Sequence, residues 1–192
     1  MDKSLAQGRL DDANRATELA NANAATAARE AASAASAASL QSKVMENENA
    51  GLRVKLMEQL SSVLKTRSTA RGLIVNMSGM LFHTGKSTLV PEAREKLAKV
   101  AGILSTHKGL KIEVDGFTDT KGTEAFNQKL SEARAQTTRE YLVSQGVASD
   151  AITSKGYGEA DPIAPNTSEA GRKENRRVEL VVTGAGMEEA KS

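Results

Sequence analysis

The first third of the chain lacks proline and has almost no glycine, the two residues that interrupt helices. In residues 2–66, glycine occurs only at Gly8 and Gly51. Alanine, which has the highest intrinsic helix propensity, dominates residues 22–38. We therefore predict a helical segment over residues 1–66, roughly 100 Å long if unbroken at about 1.5 Å per residue.

Small residues recur along this segment at alternating spacings of three and four, the repeat of a coiled coil. The repeat follows Ala6, Leu10, Ala13, Thr17, Ala20, Ala24, Ala27, Ala31, Ala34 and Ala38, then larger residues at Met45, Leu52, Leu56, Leu60 and Val63. Because alanine buries little apolar area, this seam would hold two helices together only weakly. Two interpretations stay open: a segment that forms a homo-oligomer, and a single, partly frayed helix. Under either interpretation, the role of this segment is spacing or oligomerisation.

Beyond residue 66, the apolar residues follow the periods of strands and helices in turn. Residues 72–77 and 80–82 predict a first strand, or a pair interrupted at Ser78 and Gly79. Further strands are predicted at residues 110–115, 152–157 and 178–182. Pro91 suits the first turn of a helix. The apolar stripe of that helix consists of Ala93, Leu97, Val100, Ala101 and Leu104.

The order β-α-β-α-β-β predicts an α+β domain over residues 67–184, with a mixed sheet covered by helices on one face. A crossover between strands makes at least one pair parallel. The loop at residues 161–175 contains two prolines and has room for a helical turn at residues 168–174. We expect a flexible tail over residues 185–192.

A polar loop rich in glycine and threonine follows the strand at residues 110–115. This loop contains Asp119. Ser131, beyond the loop, is a residue type that favours the N-cap of a helix. A helix that begins there would have Arg134 in its first turn. A carboxylate and a forked guanidinium would thus lie at one end of a strand–helix unit. The spacing leaves two interpretations open. Asp119 and Arg134 either form a salt bridge with each other, or hold the ammonium and the carboxylate of a zwitterion.

Three separated motifs agree in order and spacing with a known family. They are Asn127-x-x-Leu130-Ser131-x-x-Arg134-Ala135, Gly156-Tyr157-Gly158-Glu159 and Gly171-Arg172-x-x-Asn175-Arg176-Arg177-Val178-Glu179. Together with the Thr118-Asp119 pair, they resemble the OmpA-like C-terminal domain, the family of the peptidoglycan-associated lipoprotein and the stator protein MotB. The resemblance covers roughly residues 71–183.

This resemblance implies non-covalent binding of peptidoglycan, which would anchor the outer membrane or an envelope assembly to the cell wall. Asp119 would hold the ammonium, and Arg134 the carboxylate, of diaminopimelate in the stem peptide. The other predicted ligand-binding residues are Thr120, Lys121, Gly122, Asn127, Arg176 and Arg177. Of the two adjacent arginines, one would face the ligand and the other would hold the preceding loop, unless both form an exposed basic cluster. The chain departs from the family at Phe117, Phe126 and Thr138, and none of these is a charged residue of the site.

Several functional classes find no support in the sequence. A net charge of +2 gives no electrostatic basis for binding nucleic acid. Aromatic residues make up only 3%, which argues against stacking surfaces for sugars or bases. Cysteine is absent, and neither histidine, His83 or His107, has an arranged partner. We therefore predict no enzyme, and no catalytic residue, metal or cofactor. Glu113 and Asp115 are interpreted as the solvent side of a strand.

The chain opens on polar residues, without an apolar signal segment. Since the resembled family works outside the cytoplasm, we expect a mature or shortened chain in the periplasm. Outer-membrane attachment would depend on a missing N-terminal segment carrying a lipid-bearing cysteine. The alternative is a structural coiled-coil or spacer protein whose globular domain no longer binds ligand.

Overall fold

A computed structural model describes residues 2–79, 81–83 and 85–184, with side chains in the first helix described at residue 12 and from residue 14 onward. The elements in chain order are α1 (Asp2–Ser61), β1 (Lys65–Thr69), β2 (Gly72–Ser78), α2 (Pro91–Ser105), β3 (Leu110–Gly116), α3 (Glu124–Ser144), β4 (Ile152–Gly156), α4 (Glu169–Asn175) and β5 (Arg177–Gly184). None of the helices in these ranges is long and apolar enough to cross a membrane. The tail predicted at residues 185–192 lies outside the described residues.

Contacts divide the chain into two units, one up to Asn47 and one from Glu48. The first unit is the larger part of α1, and its side chains from residue 14 onward are exposed. The members of the predicted seam that lie there, from Thr17 to Met45, are therefore exposed in the single chain. Ala6, Leu10 and Ala13 lie outside the described side chains.

The second unit contains a five-stranded sheet in the order β1-β2-β5-β3-β4. The pair β3–β4, joined through α3, is parallel, and the other pairs are antiparallel. One core forms between the last turns of α1, α2, α3 and one face of the sheet. The buried stripe of α2 is the predicted one. The α+β fold with a mixed sheet and a long N-terminal helix is thus confirmed.

The first strands differ from the prediction. The helix ends at Ser61, and Lys65–Thr69 forms an edge strand whose five residues pair antiparallel with β2. Its sequence is polar throughout, so no alternation of apolar residues distinguished it from the end of a helix. No strand is assigned at residues 81–83, where Phe82 makes an isolated bridge to Leu89. The predicted strand residue Met80 lies outside the described residues.

The helix that carries Arg134 begins earlier than predicted. Thr123, not Ser131, is the N-cap of α3, and its hydroxyl accepts a hydrogen bond from the amide of Phe126 at 3.2 Å. Both residues are of N-cap type, so local sequence did not distinguish them. Ser131 is buried within α3, where its hydroxyl accepts from the amide of Gly158 at 2.8 Å. It therefore ties α3 to the loop after β4.

Candidate ligand-binding site

The candidate site lies where β3 ends and α3 packs across it. At Gly116 a Cβ atom would lie 2.3 Å from the carbonyl oxygen of Ser131, so only glycine lets α3 approach this closely. The loop that follows is fixed at its start, because the amide of Thr118 donates to the carbonyl of Gly158 at 2.7 Å. This close approach brings the loop beside the face of α3 that carries Arg134.

Asp119 is buried and its carboxylate is fixed on both sides. Oδ1 accepts from the amide of Lys121 at 2.9 Å, and Oδ2 accepts from Nη1 of Arg176 at 2.5 Å. The side-chain amide of Asn127 donates to the carbonyl of Asp119 at 3.2 Å and to the carboxylate of Glu159 at 2.7 Å. The loop therefore presents one oriented carboxylate to the site.

Arg134 is only 4% exposed, and its hydrogen bonds go to neutral groups. Nε donates to the carbonyl of Lys86 at 2.9 Å and Nη2 to that of His83 at 3.4 Å. The guanidinium carbon lies 5.3 Å from the centre of the Phe82 ring. Burial, and then the nearby charge of Arg176, lower the pKa of Arg134 to about 10 against the attraction of Asp119. The group is thus still a cation at neutral pH.

Asp119 and Arg134 do not pair with each other. Among the described residues the ion-pair partner of Asp119 is Arg176, and Arg134 has no carboxylate partner. The interpretation of a simple salt bridge between the two predicted residues is therefore wrong. Local spacing could not indicate the actual pair, because Asp119 and Arg176 are 57 positions apart.

Glu169, at the start of α4, joins the other charges of the site. Its carboxylate accepts from Nη2 of Arg176 at 2.8 Å and lies 3.7 Å from Nζ of Lys121. Hydrogen bonds from Arg176 and then Arg172 lower the pKa of Glu169 to about 2. For Arg176, burial acts to lower the pKa, but the bonds to Glu169 and Asp119 outweigh burial and the pKa is raised. Glu169 and Arg176 are therefore both charged at neutral pH.

Arg177 contacts a different part of the domain. Its Nε donates to Glu179 at 2.9 Å, its Nη2 donates to the carbonyl of Asp161 at 3.1 Å, and its guanidinium carbon lies 3.7 Å from the centre of the Phe117 ring. It holds the loop after β4, while Arg176 lies among the site charges. The two arginines are buried or half-buried, so they do not form an exposed basic cluster.

A cavity of about 240 Å³ collects these groups. Its lining residues are Gly85, Thr118, Asp119, Lys121, Phe126, Asn127, Leu130, Arg134, Glu169 and Arg176. Five predicted site residues are therefore in its wall, whereas Thr120, Gly122 and Arg177 are not. Two further wall residues were not predicted as site residues: Glu169, which carries no local signal, and Thr118, whose position beside Asp119 could have indicated it. Within the described ranges, no cluster of three or more metal-ligating side chains is present.

Comparisons with known proteins identify a family for this chain. The sequence model of the OmpA family matches residues 81–176. Outer membrane protein P5 of Haemophilus influenzae is 36% identical over 145 residues, which are 71% of this chain and 41% of that protein. Peptidoglycan-binding protein ArfA of Mycobacterium bovis is 41% identical over 101 residues, 53% of this chain and 31% of that protein. The chain thus spans less than half the length of these relatives.

The fold of this chain is also similar to that of a solved structure. The cell wall anchor of the T6SS from Pseudomonas aeruginosa superimposes with a TM-score of 0.57 at 30% sequence identity. The match covers 65% of this chain and 90% of that one.

Proposed function

Because the chain belongs to the OmpA family, we propose that its domain binds peptidoglycan without catalysing a reaction and anchors an envelope assembly, or the outer membrane, to the cell wall. The names of two similar proteins support this proposal, since one is a peptidoglycan-binding protein and the other a cell wall anchor. The domain would then work in the periplasm, where peptidoglycan is accessible.

The observation that carries the proposal is the buried guanidinium of Arg134, which has no carboxylate partner among the described residues. A buried charge without a counter-ion is costly, and a ligand carboxylate would supply the missing partner. Asp119 lies in the wall of the same cavity, and its negative carboxylate could pair with a positive group of the ligand. The site therefore suits a group that carries both an ammonium and a carboxylate.

Diaminopimelate in the stem peptide has both groups free on its side arm. In the proposed complex, Arg134 binds its carboxylate with two parallel hydrogen bonds, and Asp119 binds its ammonium. Lysine, which replaces diaminopimelate in some stem peptides, has the ammonium but lacks the carboxylate. A site with a buried guanidinium discriminates against that analogue, because the guanidinium would stay unpaired.

The test is co-sedimentation with purified sacculi that contain meso-diaminopimelate, followed by calorimetry with stem peptides. We expect Arg134→Ala and Asp119→Ala to abolish sedimentation, since loss of a charge-assisted pair in a desolvated site costs on the order of 2–5 kcal/mol. Arg134→Lys should rescue binding poorly, because a point charge does not reproduce the planar fork. A peptide with lysine in place of diaminopimelate should bind far more weakly.

Arg94→Ala is the matched control, because Arg94 is an exposed arginine on α2 outside the cavity wall. It should sediment like the wild type. Circular dichroism must show a native spectrum for each variant. A folded Arg134→Ala variant that still sediments with sacculi, or equal affinity for the two peptides, would refute the assignment.

A further inference from the structure

The side-chain hydroxyl of Thr118 is buried. The residue is 4% exposed, and its Oγ1 has no hydrogen-bond partner among the described residues. Its main-chain amide is bonded to Gly158, so the backbone position is fixed. Buried hydroxyls are nearly always hydrogen-bonded, and one that is not weakens the fold unless a ligand completes it.

The position of Thr118 relates this hydroxyl to the ligand cavity. Thr118 lines the same cavity as Asp119 and Arg134 and directly precedes Asp119 in the chain. Thr138 offers a contrast, since it is also buried but its hydroxyl donates to the carbonyl of Arg134 at 2.9 Å. Of these two buried threonines, the one at the cavity has the hydroxyl that lacks a hydrogen-bond partner in the described part of the chain.

A ligand ammonium needs more acceptors than Asp119 alone provides. An ammonium has three N–H donors, and each must find an acceptor when the group leaves water. Both carboxylate oxygens of Asp119 already accept one bond each, from Lys121 and from Arg176. At most two further bonds fit there, so the third N–H of the ammonium needs an acceptor other than Asp119.

We propose that the hydroxyl of Thr118 accepts a hydrogen bond from the ligand ammonium that Asp119 holds, and so makes the site selective for a free primary amine. This inference rests on the proposed function. The hydroxyl then selects the free side-arm amine of diaminopimelate against an acylated amine, which has one N–H and no charge. Thr118 is a binding residue in addition to the Asp119 and Arg134 pair.

The experiment combines Thr118→Val and Thr118→Ser with two probes, measured by calorimetry on the full chain. One probe is the tripeptide L-Ala-γ-D-Glu-meso-diaminopimelate, and the other is the same peptide acetylated on the side-arm amine. Valine has nearly the shape of threonine without its hydroxyl. We expect Thr118→Val to weaken binding of the free-amine peptide about tenfold, as for loss of a hydrogen bond to a charged group. Its effect on the acetylated peptide should be negligible. Thr118→Ser should bind the free-amine peptide within about threefold of the wild type.

Urea unfolding of the free protein supplies a second measurement. Here Thr118→Val should not weaken the protein, although it weakens ligand binding. Thr118→Val should unfold at the same or a higher urea concentration than the wild type, because it removes an unsatisfied buried polar group. Thr138→Val should unfold at a lower concentration, because it removes a hydroxyl that is bonded. Lower stability of Thr118→Val would overturn the inference, since it would mean that the hydroxyl has a partner in the free protein.

Unchanged affinity of Thr118→Val for the free-amine peptide, or equal weakening for both peptides, would also overturn it. Asp119→Ala separates this failure from that of the proposed function. If Asp119→Ala loses the free-amine peptide while Thr118→Val binds it normally, only the role of Thr118 is wrong. If Asp119→Ala also binds normally, the proposed function fails as well.

Discussion

Asp115 shows how one residue can face away from the helices and still be buried. It follows Val114, a core residue, so it lies on the opposite face of the sheet, where it is 0% exposed. Oδ2 accepts from Arg71 at 3.0 Å, and Oδ1 has no hydrogen-bond partner among the described residues. Desolvation, and then the charge of Glu113, raise the pKa of Asp115 to about 6, while Arg71 acts in the opposite direction.

The titration of Asp115 predicts a pH dependence of stability. Its pKa in the fold lies above its ordinary value of 3.8, so its contribution to stability is fully present below about pH 4 and is lost as the pH rises through 6. The charged groups that face it are Arg71, Glu113 and Glu179. Asp115→Asn should therefore gain stability relative to the wild type as the pH rises from 4 to above 6, by on the order of 3 kcal/mol.

Urea unfolding of both proteins at pH 4, 5, 6 and 7.5 measures this effect. The difference between the two proteins matters, because it cancels the titration of the groups they share. A difference that does not change across this range would show that the ionised carboxylate is not disfavoured in the fold.

At the residue scale, the sequence predicted which charged residues would lie close together better than it predicted their ion-pair partners or their burial. Asp119 and Arg134 were found from a motif within one strand–helix unit. The pairing of Asp119 with Arg176 depends on where β5 inserts in the sheet, which local pattern does not contain. Asp115 was assigned to solvent because alternation identifies the face of a strand but not what covers that face.

At the scale of elements, the end of α1 belongs to the folded unit. Leu56 and Leu60 are fully buried and pack in the core with residues of β2 and α2. Both residues belong to the predicted coiled-coil seam. A helix that packs on a sheet and a helix in a coiled coil place apolar residues at the same spacings of three and four, so this pattern could not distinguish them.

Truncating a leucine in these last turns should therefore destabilise the sheet. We expect Leu56→Ala to lower the free energy of unfolding by about 2–5 kcal/mol, through lost burial and the cavity it leaves. Leu40→Ala is the matched control, because Leu40 lies in the same helix and is 65% exposed. It should change stability by less than about 0.5 kcal/mol. Urea unfolding checks both, and equal effects would mean that the sheet does not depend on the end of α1.

At the scale of the whole molecule, the class of fold followed from sequence more fully than its topology did. The alternating strands and the stripe of α2 are strong periodic signals, and they set the order of the main elements. The position of β5 between β2 and β3 results from pairings that join distant parts of the chain. Those pairings depend on the complete sheet, so no window of the sequence specifies them.

The exposed helix of the first unit is predicted to associate with copies of itself. The seam residues from Thr17 to Ala38 are exposed in the single chain, and their spacing predicts packing against copies of the same segment. Since alanine contributes little buried area, we expect association that is weak and dependent on concentration.

Replacing Ala20, Ala27 and Ala34 by glutamate tests this association, because it places three charges on the seam. The oligomer should dissociate, with no change in sacculus binding per domain. Glutamate is a good helix former, so the same changes on a solvated single helix would be nearly neutral. The triple change at Ala22, Ala25 and Ala32, which lie off the seam, adds equal charge and should leave the oligomer intact. Sedimentation equilibrium up to high micromolar concentration measures the outcome. A wild type that stays monomeric there, with both variants indistinguishable from it, would leave the helix as a spacer.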